Sequence, residues 1–260
     1  MGPFMKRGMS QHGEVAMRLP RIWILVVTSL LFCGGVAAGA RAERSIARGR
    51  NAVSAPPIVI VYGQEPGPAG GLAQSSLRDP EGSNTDQWVW DGFTLGREQA
   101  ITEVRWRGGY DPAWLGSGGP VLGFTVAIYA SIPSGGQPDL ARPALVRHEV
   151  RNNANETPAA VLGGVQTYDY RYALPSPFQA AAGTKYWLQI EAFQAGAPDW
   201  GLAKAVGGDG HYFRRIAGEG PTYQLVAGDV AFTLLGPQID GYRLFLPRVL
   251  CTASGIASAN

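Results

Sequence analysis

Lys185-Tyr186-Trp187-Leu188-Gln189-Ile190-Glu191-Ala192-Phe193 sets Tyr186, Leu188 and Ile190 against Trp187, Gln189 and Glu191. Side chains of an extended chain point alternately to opposite faces, so this period of two predicts a β-strand with an apolar side. The pattern repeats to either side. Phe124, Val126 and Ile128 share one face of the run Phe124 to Ala130, as do Val230, Phe232 and Leu234 in the run Asp229 to Leu235. Together with Leu188 and Ile190, these residues are expected in the core.

Further strands are predicted at Ile58 to Tyr62, Trp88 to Leu95, Ile101 to Arg107, Ala144 to Val150, Trp200 to Ala205, His211 to Ile216 and Tyr223 to Val226. Val165 to Leu174 carries Tyr168, Tyr170 and Tyr172 on one side, a ladder suited to a half-buried pleated face. Breaks fall at Gly63 to Gly71, at Ile132 to Pro138 and at the turn Asn152 to Thr157. After residue 43 no segment has the 3.6 period of an amphipathic helix. About ten strands, with turn signals every 8–15 residues, predict an all-β fold. The expected architecture is one antiparallel β-sandwich over residues 57–236, jelly-roll-like, with a barrel as the other closure.

The first 42 residues read differently. Arg18 and Arg21 precede an apolar run from Ile22 to Phe32, and the segment ends on Ala40-Arg41-Ala42. A positive flank, an apolar core and small residues at a cleavage site predict a signal peptide, with a polar leader before Met17 and cleavage after Ala42. An uncleaved membrane anchor is the competing reading. Phe32 before Cys33 does not suit lipidation, and Cys251 is the one cysteine after the cleavage site, so no intrachain disulfide is expected there. Residues 43–56 form a flexible lead-in and residues 237–260 a C-terminal tail. Without residues 1–42 the chain keeps 17 basic and 19 acidic residues, a net of −2. That balance, without a basic stripe, argues against a nucleic-acid partner. The expected location is outside the cell or on its envelope.

Several segments are familiar. Trp90-Asp91-Gly92-Phe93-Thr94-Leu95, Trp106-Arg107-Gly108-Gly109-Tyr110, Gly123 to Ala130, Gly183 to Ile190 and Asp229 to Gly236 occur in that order. The chain thereby resembles uncharacterised secreted bacterial β-sandwich modules carrying W-x-G-G-Y, G-T-x-Y-W-L-x-I and D-L-A-F-x-L-x-G strands. The resemblance implies a fold and a location, but no activity and no functional residue. Tyr242 to Leu250 is similar to an aromatic-Leu-Pro tail that closes many secreted bacterial proteins.

Catalytic patterns are sparse. His148 and His211 are the histidines of the processed chain, and no G-x-S-x-G elbow accompanies them. Two histidines and one tail cysteine give no zinc spacing. Glu191 shares a face with Trp187 and Gln189, and Glu103 with Arg105 and Arg107. A carboxylate pair from such faces is the alternative reading, a secreted glycoside hydrolase; solvated strand faces and surface ion pairs are the plainer one. Loop aromatics lead elsewhere. Tyr110 and Trp114 fall in the glycine-rich run Gly108 to Gly119, with Asp111 between them. Exposed rings beside acids suit sugars, because the ring stacks on C–H faces while the acid takes hydroxyls. Trp200 with Asp199, and Tyr212 beside Asp209 and His211, form a second such group, although for both groups a structural role, Trp114 capping the sandwich edge, is the plainer reading. The expected partner is an extracellular glycan or cell-surface component. Calcium is the cofactor to test, with Asp79, Glu81, Asp86 and Asp91 clustered around Gly82-Ser83-Asn84. Turn-forming acids account for that run equally well. Asn155-Glu156-Thr157 matches a glycosylation acceptor and reads here as a turn.

Overall fold

The computed structural model describes residues 55–239, apart from 112, 115 and 116. The signal peptide expected over residues 1–42, most of the lead-in and nearly all of the tail lie outside the described residues. In chain order the strands begin with β1 (Ile58–Pro66), β2 (Leu72–Gln74), β3 (Ser76–Arg78), β4 (Gln87–Thr94) and β5 (Gln99–Tyr110). Next come β6 (Gly123–Ala130), β7 (Val146–Arg151), β8 (Thr157–Leu162), β9 (Val165–Ala180) and β10 (Lys185–Gln194). The last are β11 (Trp200–Val206), β12 (His211–Ile216), β13 (Gln224–Ala227), β14 (Asp229–Val230) and β15 (Phe232–Pro237).

These strands form two sheets, and every pairing except the parallel β3–β10 is antiparallel. The first sheet runs β14-β11-β1-β15-β5-β9-β8, with β2 on β11. The second runs β13-β12-β4-β10-β6-β7, with β3 on β10. The antiparallel β-sandwich expected from the alternation is the fold. Among the described residues, fifteen strands replace the ten or so expected. β2 and β3 lack an apolar alternation that would reveal them. β8 carries Pro158 and lies at the sheet edge, where a missing N–H costs no ladder bond. The turn before it holds Asn152, Ala154 and Asn155 at positive φ.

All eight residues expected inside are buried, each at 3% exposure or less. Between the sheets Trp106 stacks on Tyr170 at 5.6 Å, and Phe124 meets both rings and Trp200 edge-on at 5.1–5.2 Å. A second apolar cluster departs from expectation. Trp90, Trp187 and Phe213 are buried on the outer face of the second sheet, with Trp88, Tyr129 and Leu140 packed against them. Outer faces of antiparallel sheets are usually polar. Here the segment between β6 and β7 folds back over the sheet. Ser131 accepts a hydrogen bond from Trp187 Nε1 at 2.8 Å and donates one to the Lys185 carbonyl at 2.9 Å, which brings Leu140 onto the aromatic face.

Candidate functional site

The outer face of the second sheet carries an open groove of about 540 Å³. Pairing registers explain what lines it. Trp90 lies opposite Phe213 of β12 and Gln189 of β10; Gln189 lies opposite Ala127 of β6, itself opposite Arg147 of β7. Trp88 and Glu191, two residues along their strands, share this face. Arg215 sits 5.0 Å above the Trp88 ring, and Tyr223 meets Trp90 edge-on at 5.5 Å. A smaller concavity of about 290 Å³ shares Leu140 and Tyr223 with it, so the two form one trough.

The floor is polar and buried. Glu191 is 2% exposed, and burial pushes its carboxyl up to about 7, against the pull of Arg147 and a hydrogen bond from Trp88. Gln189 Nε2 donates to Glu191 Oε2 at 3.3 Å. Gln189 Oε1 and Trp90 Nε1 are buried without partners. They are an acceptor and a donor on residues that face each other across β4 and β10.

Another concavity, about 560 Å³, lies on the first sheet beside Arg105, Arg107 and Asp169. Two of its guanidinium groups are paired, Arg107 with Asp169 at 2.8 Å and Arg105 with neighbouring Glu103 at 2.5 Å. Glu103 and Glu191 therefore sit on outer faces of different sheets, and they do not form the facing pair that a glycosidase needs.

Residues 60–207 match the family model described as a domain of unknown function, DUF7901. The chain belongs to that family. No curated protein matches the chain. The matched span carries the DUF7901 residues Trp88, Trp90, Tyr129, Gln189 and Glu191, whereas Arg215 and Tyr223 follow it. The folded unit is also longer than the match, because β15 lies between β1 and β5 in the first sheet.

The residues singled out from sequence are placed less freely in the DUF7901 fold than their glycines suggest. Gly108 and Gly109 are not loop residues but the end of β5, paired with Leu202 and Gly201 of β11. A Cβ on Gly108 would lie 2.3 Å from the Trp200 ring, so glycine here permits contact rather than freedom. Trp200 is fully buried and donates from Nε1 to Tyr170 Oη at 2.9 Å, which removes it from any sugar face. Tyr110 Oη donates to Glu156 at 2.8 Å and accepts from the Val121 N–H at 3.2 Å. Burial pushes the Tyr110 and Tyr170 phenols up. Asp111 closes a turn by accepting from the Ala113 N–H at 2.9 Å. Trp114 is half-buried over Leu72, Ala203 and Ala231. As a cap it should leave binding untouched: Trp114→Ala is expected to cost roughly 1–3 kcal/mol in chemical denaturation. Loss of ligand binding with unchanged stability would return Trp114 to the site.

The acidic run divides. Asp86 accepts from the Arg78 and Ser83 N–H groups and from Ser83 Oγ, so it holds a turn. Glu81 pairs with Arg78 at the surface. Asp91 instead faces Asp209 and Asp229, which among the described residues is the one group of three side chains able to hold a metal. Asp209 pairs with Lys185 and, at 3.1 Å, with His211.

Proposed function

We propose that this protein is an exported, non-catalytic β-sandwich module that holds an extracellular saccharide in the groove of the second sheet. The observation that carries the reading is the groove's composition. Trp88, Tyr129 and Tyr223 offer partly exposed ring faces beside Arg147, Arg215 and the buried amide and carboxyl of Gln189 and Glu191. Ring faces bind the C–H side of a pyranose, and guanidinium and amide groups take its hydroxyls. The signal segment of residues 1–42 supports an extracellular partner.

The test is a glycan array probed with the full chain, with and without calcium, followed by calorimetry on any hit. Trp88→Ala is expected to weaken binding at least tenfold, as for a central aromatic anchor, while the melting temperature stays within a few degrees. An array without a hit, or a Trp88→Ala variant that binds like wild type, overturns the reading.

One observation favours a hydrolase as the second reading. A carboxyl that titrates near 7 is suited to act as a general acid, and Glu149 lies on the same face, opposite Thr125, which is itself opposite Glu191. Release of reducing ends from a bound glycan, abolished by Glu191→Gln, is the outcome that selects it.

A further inference from the structure

Asp91, Asp209 and Asp229 meet where the two sheets approach each other. Asp91 belongs to β4 of the second sheet, Asp229 to β14 of the first, and Asp209 to the turn between β11 and β12. One carboxylate oxygen from each lies within 4.8 Å of the other two. Asp91 and Asp229 are 1% and 5% exposed, so their positions are set by the fold. Backbone N–H groups fix them further: Gly92 and Val230 donate to Asp91 at 2.6 and 2.7 Å, and Gly210 to Asp229 at 2.8 Å.

A second observation at this place is independent of the acids. Gln64 is 1% exposed, and its Oε1 is buried without a partner, while Nε2 donates to Tyr62 Oη at 2.9 Å and to the Gly92 carbonyl at 3.3 Å. Its amide lies against the acidic group: a Cβ on Gly208 would sit 2.5 Å from Gln64 Nε2 and 2.4 Å from Asp229 Oδ1. A buried side chain with an unpartnered amide oxygen, reaching the place where three carboxyl groups converge, leaves hydrogen-bonding capacity unused beside a donor set for a hard cation.

We propose that Asp91, Asp209 and Asp229 bind a calcium ion beside the Gln64 amide. The donors are oxygens without a thiolate, which disfavours zinc. Carboxylate oxygens that all lie within 4.8 Å of one another can share one hard cation, and calcium tolerates the irregular geometry that magnesium does not. Lys185 is the internal competitor. Its ammonium pairs with Asp209 and lies 4.3 Å above the Trp187 ring, so it neutralises the Asp209 carboxylate. A divalent ion displaces it from Asp209 and leaves it on the indole. The ion then joins the two sheets through Asp91 and Asp229. This inference stands apart from the saccharide groove.

The experiment uses the full chain, melted in EDTA and in calcium chloride, with terbium chloride as a luminescent probe excited through tryptophan. Calcium at a hundredfold excess over Kd is expected to raise the melting temperature by about 5–10 °C. Terbium emission is expected to be sensitised by Trp187 and displaced by calcium. Asp209→Asn, at the most exposed ligand, should abolish both responses yet melt in EDTA within a few degrees of wild type. Lys185→Met should lower the calcium Kd several-fold. The site is overturned if wild type shows neither response, or if Asp209→Asn keeps both.

Discussion

Trp200→Ala is expected to destabilise the domain by about 3–5 kcal/mol, read as a fall in the urea midpoint at unchanged slope. The indole is fully buried at the start of β11. It meets Phe124 edge-on at 5.1 Å and Tyr170 at 5.7 Å, so truncation opens a cavity between the two sheets. It also heads a hydrogen-bond chain. Trp200 Nε1 donates to Tyr170 Oη, and Tyr170 and Tyr110 both donate to Glu156 Oε2 at 2.8 Å. Trp200→Phe keeps much of the ring volume and loses the first bond of that chain, so it should cost less, roughly 1–3 kcal/mol. A midpoint unmoved by Trp200→Ala would mean that the ring is not in the core, and would restore it as a ligand contact.

Trp200 also shows where sequence reading reaches its limit. The strands of Phe124, Leu188 and Phe232 were legible because apolar residues sit at alternate positions in each, whatever covers the other face. β11 begins with four buried residues in a row, since it is hemmed in by β1, β2, β5 and β14. The strand itself was expected at Trp200 to Ala205, but with no alternation at its start the side on which the Trp200 ring lies could not be read. Glycine misled in the same way. Gly108 and Gly118 mark close contacts, with the Trp200 ring and the Gln194 amide, rather than mobile loops. Sequence does not distinguish a glycine chosen for φ from one chosen for space.

The groove was half legible. The polar side of β10, with Trp187, Gln189 and Glu191, was recognised as a face distinct from the core, and a solvated surface was the plainer expectation for it. What buries it comes from distant segments: Trp88 and Trp90 of β4, Tyr129 of β6, and the Ser131–Leu145 excursion that carries Leu140. The aspartate group was harder still. Asp91 and Asp209 were each noted, but in separate groups, and Asp229 was read only as the start of a strand. Their meeting depends on β14 lying against β11 in one sheet while β4 and β12 pair in the other, a relation that no local pattern encodes.

Glu191→Gln is expected to stabilise the protein above neutral pH, by roughly 3 kcal/mol at pH 8. The figure follows from a carboxyl whose ordinary value of 4.5 is raised to about 7 in the fold. The unfolded chain gives up this proton near 4.5 and the folded one near 7. Between these values the folded state holds more protons than the unfolded state. Stability of the wild type therefore falls as pH rises through this window and levels off above it. Asp91, raised to about 8 by burial, adds a slope of the same sign that reaches slightly higher, and it is common to both proteins. Glutamine is neutral throughout, so the two proteins should match below about pH 4.5 and diverge up to about pH 7. Arg147 loses a partner but is exposed, and water replaces the lost interaction at little cost. Urea midpoints at pH 4.5, 6 and 8 decide the matter; parallel curves would place Glu191 in contact with water. Divergence would carry a further meaning. A carboxyl that weakens the fold at neutral pH, on the floor of an aromatic groove, is better explained by the ligand it contacts than by the sandwich it sits on.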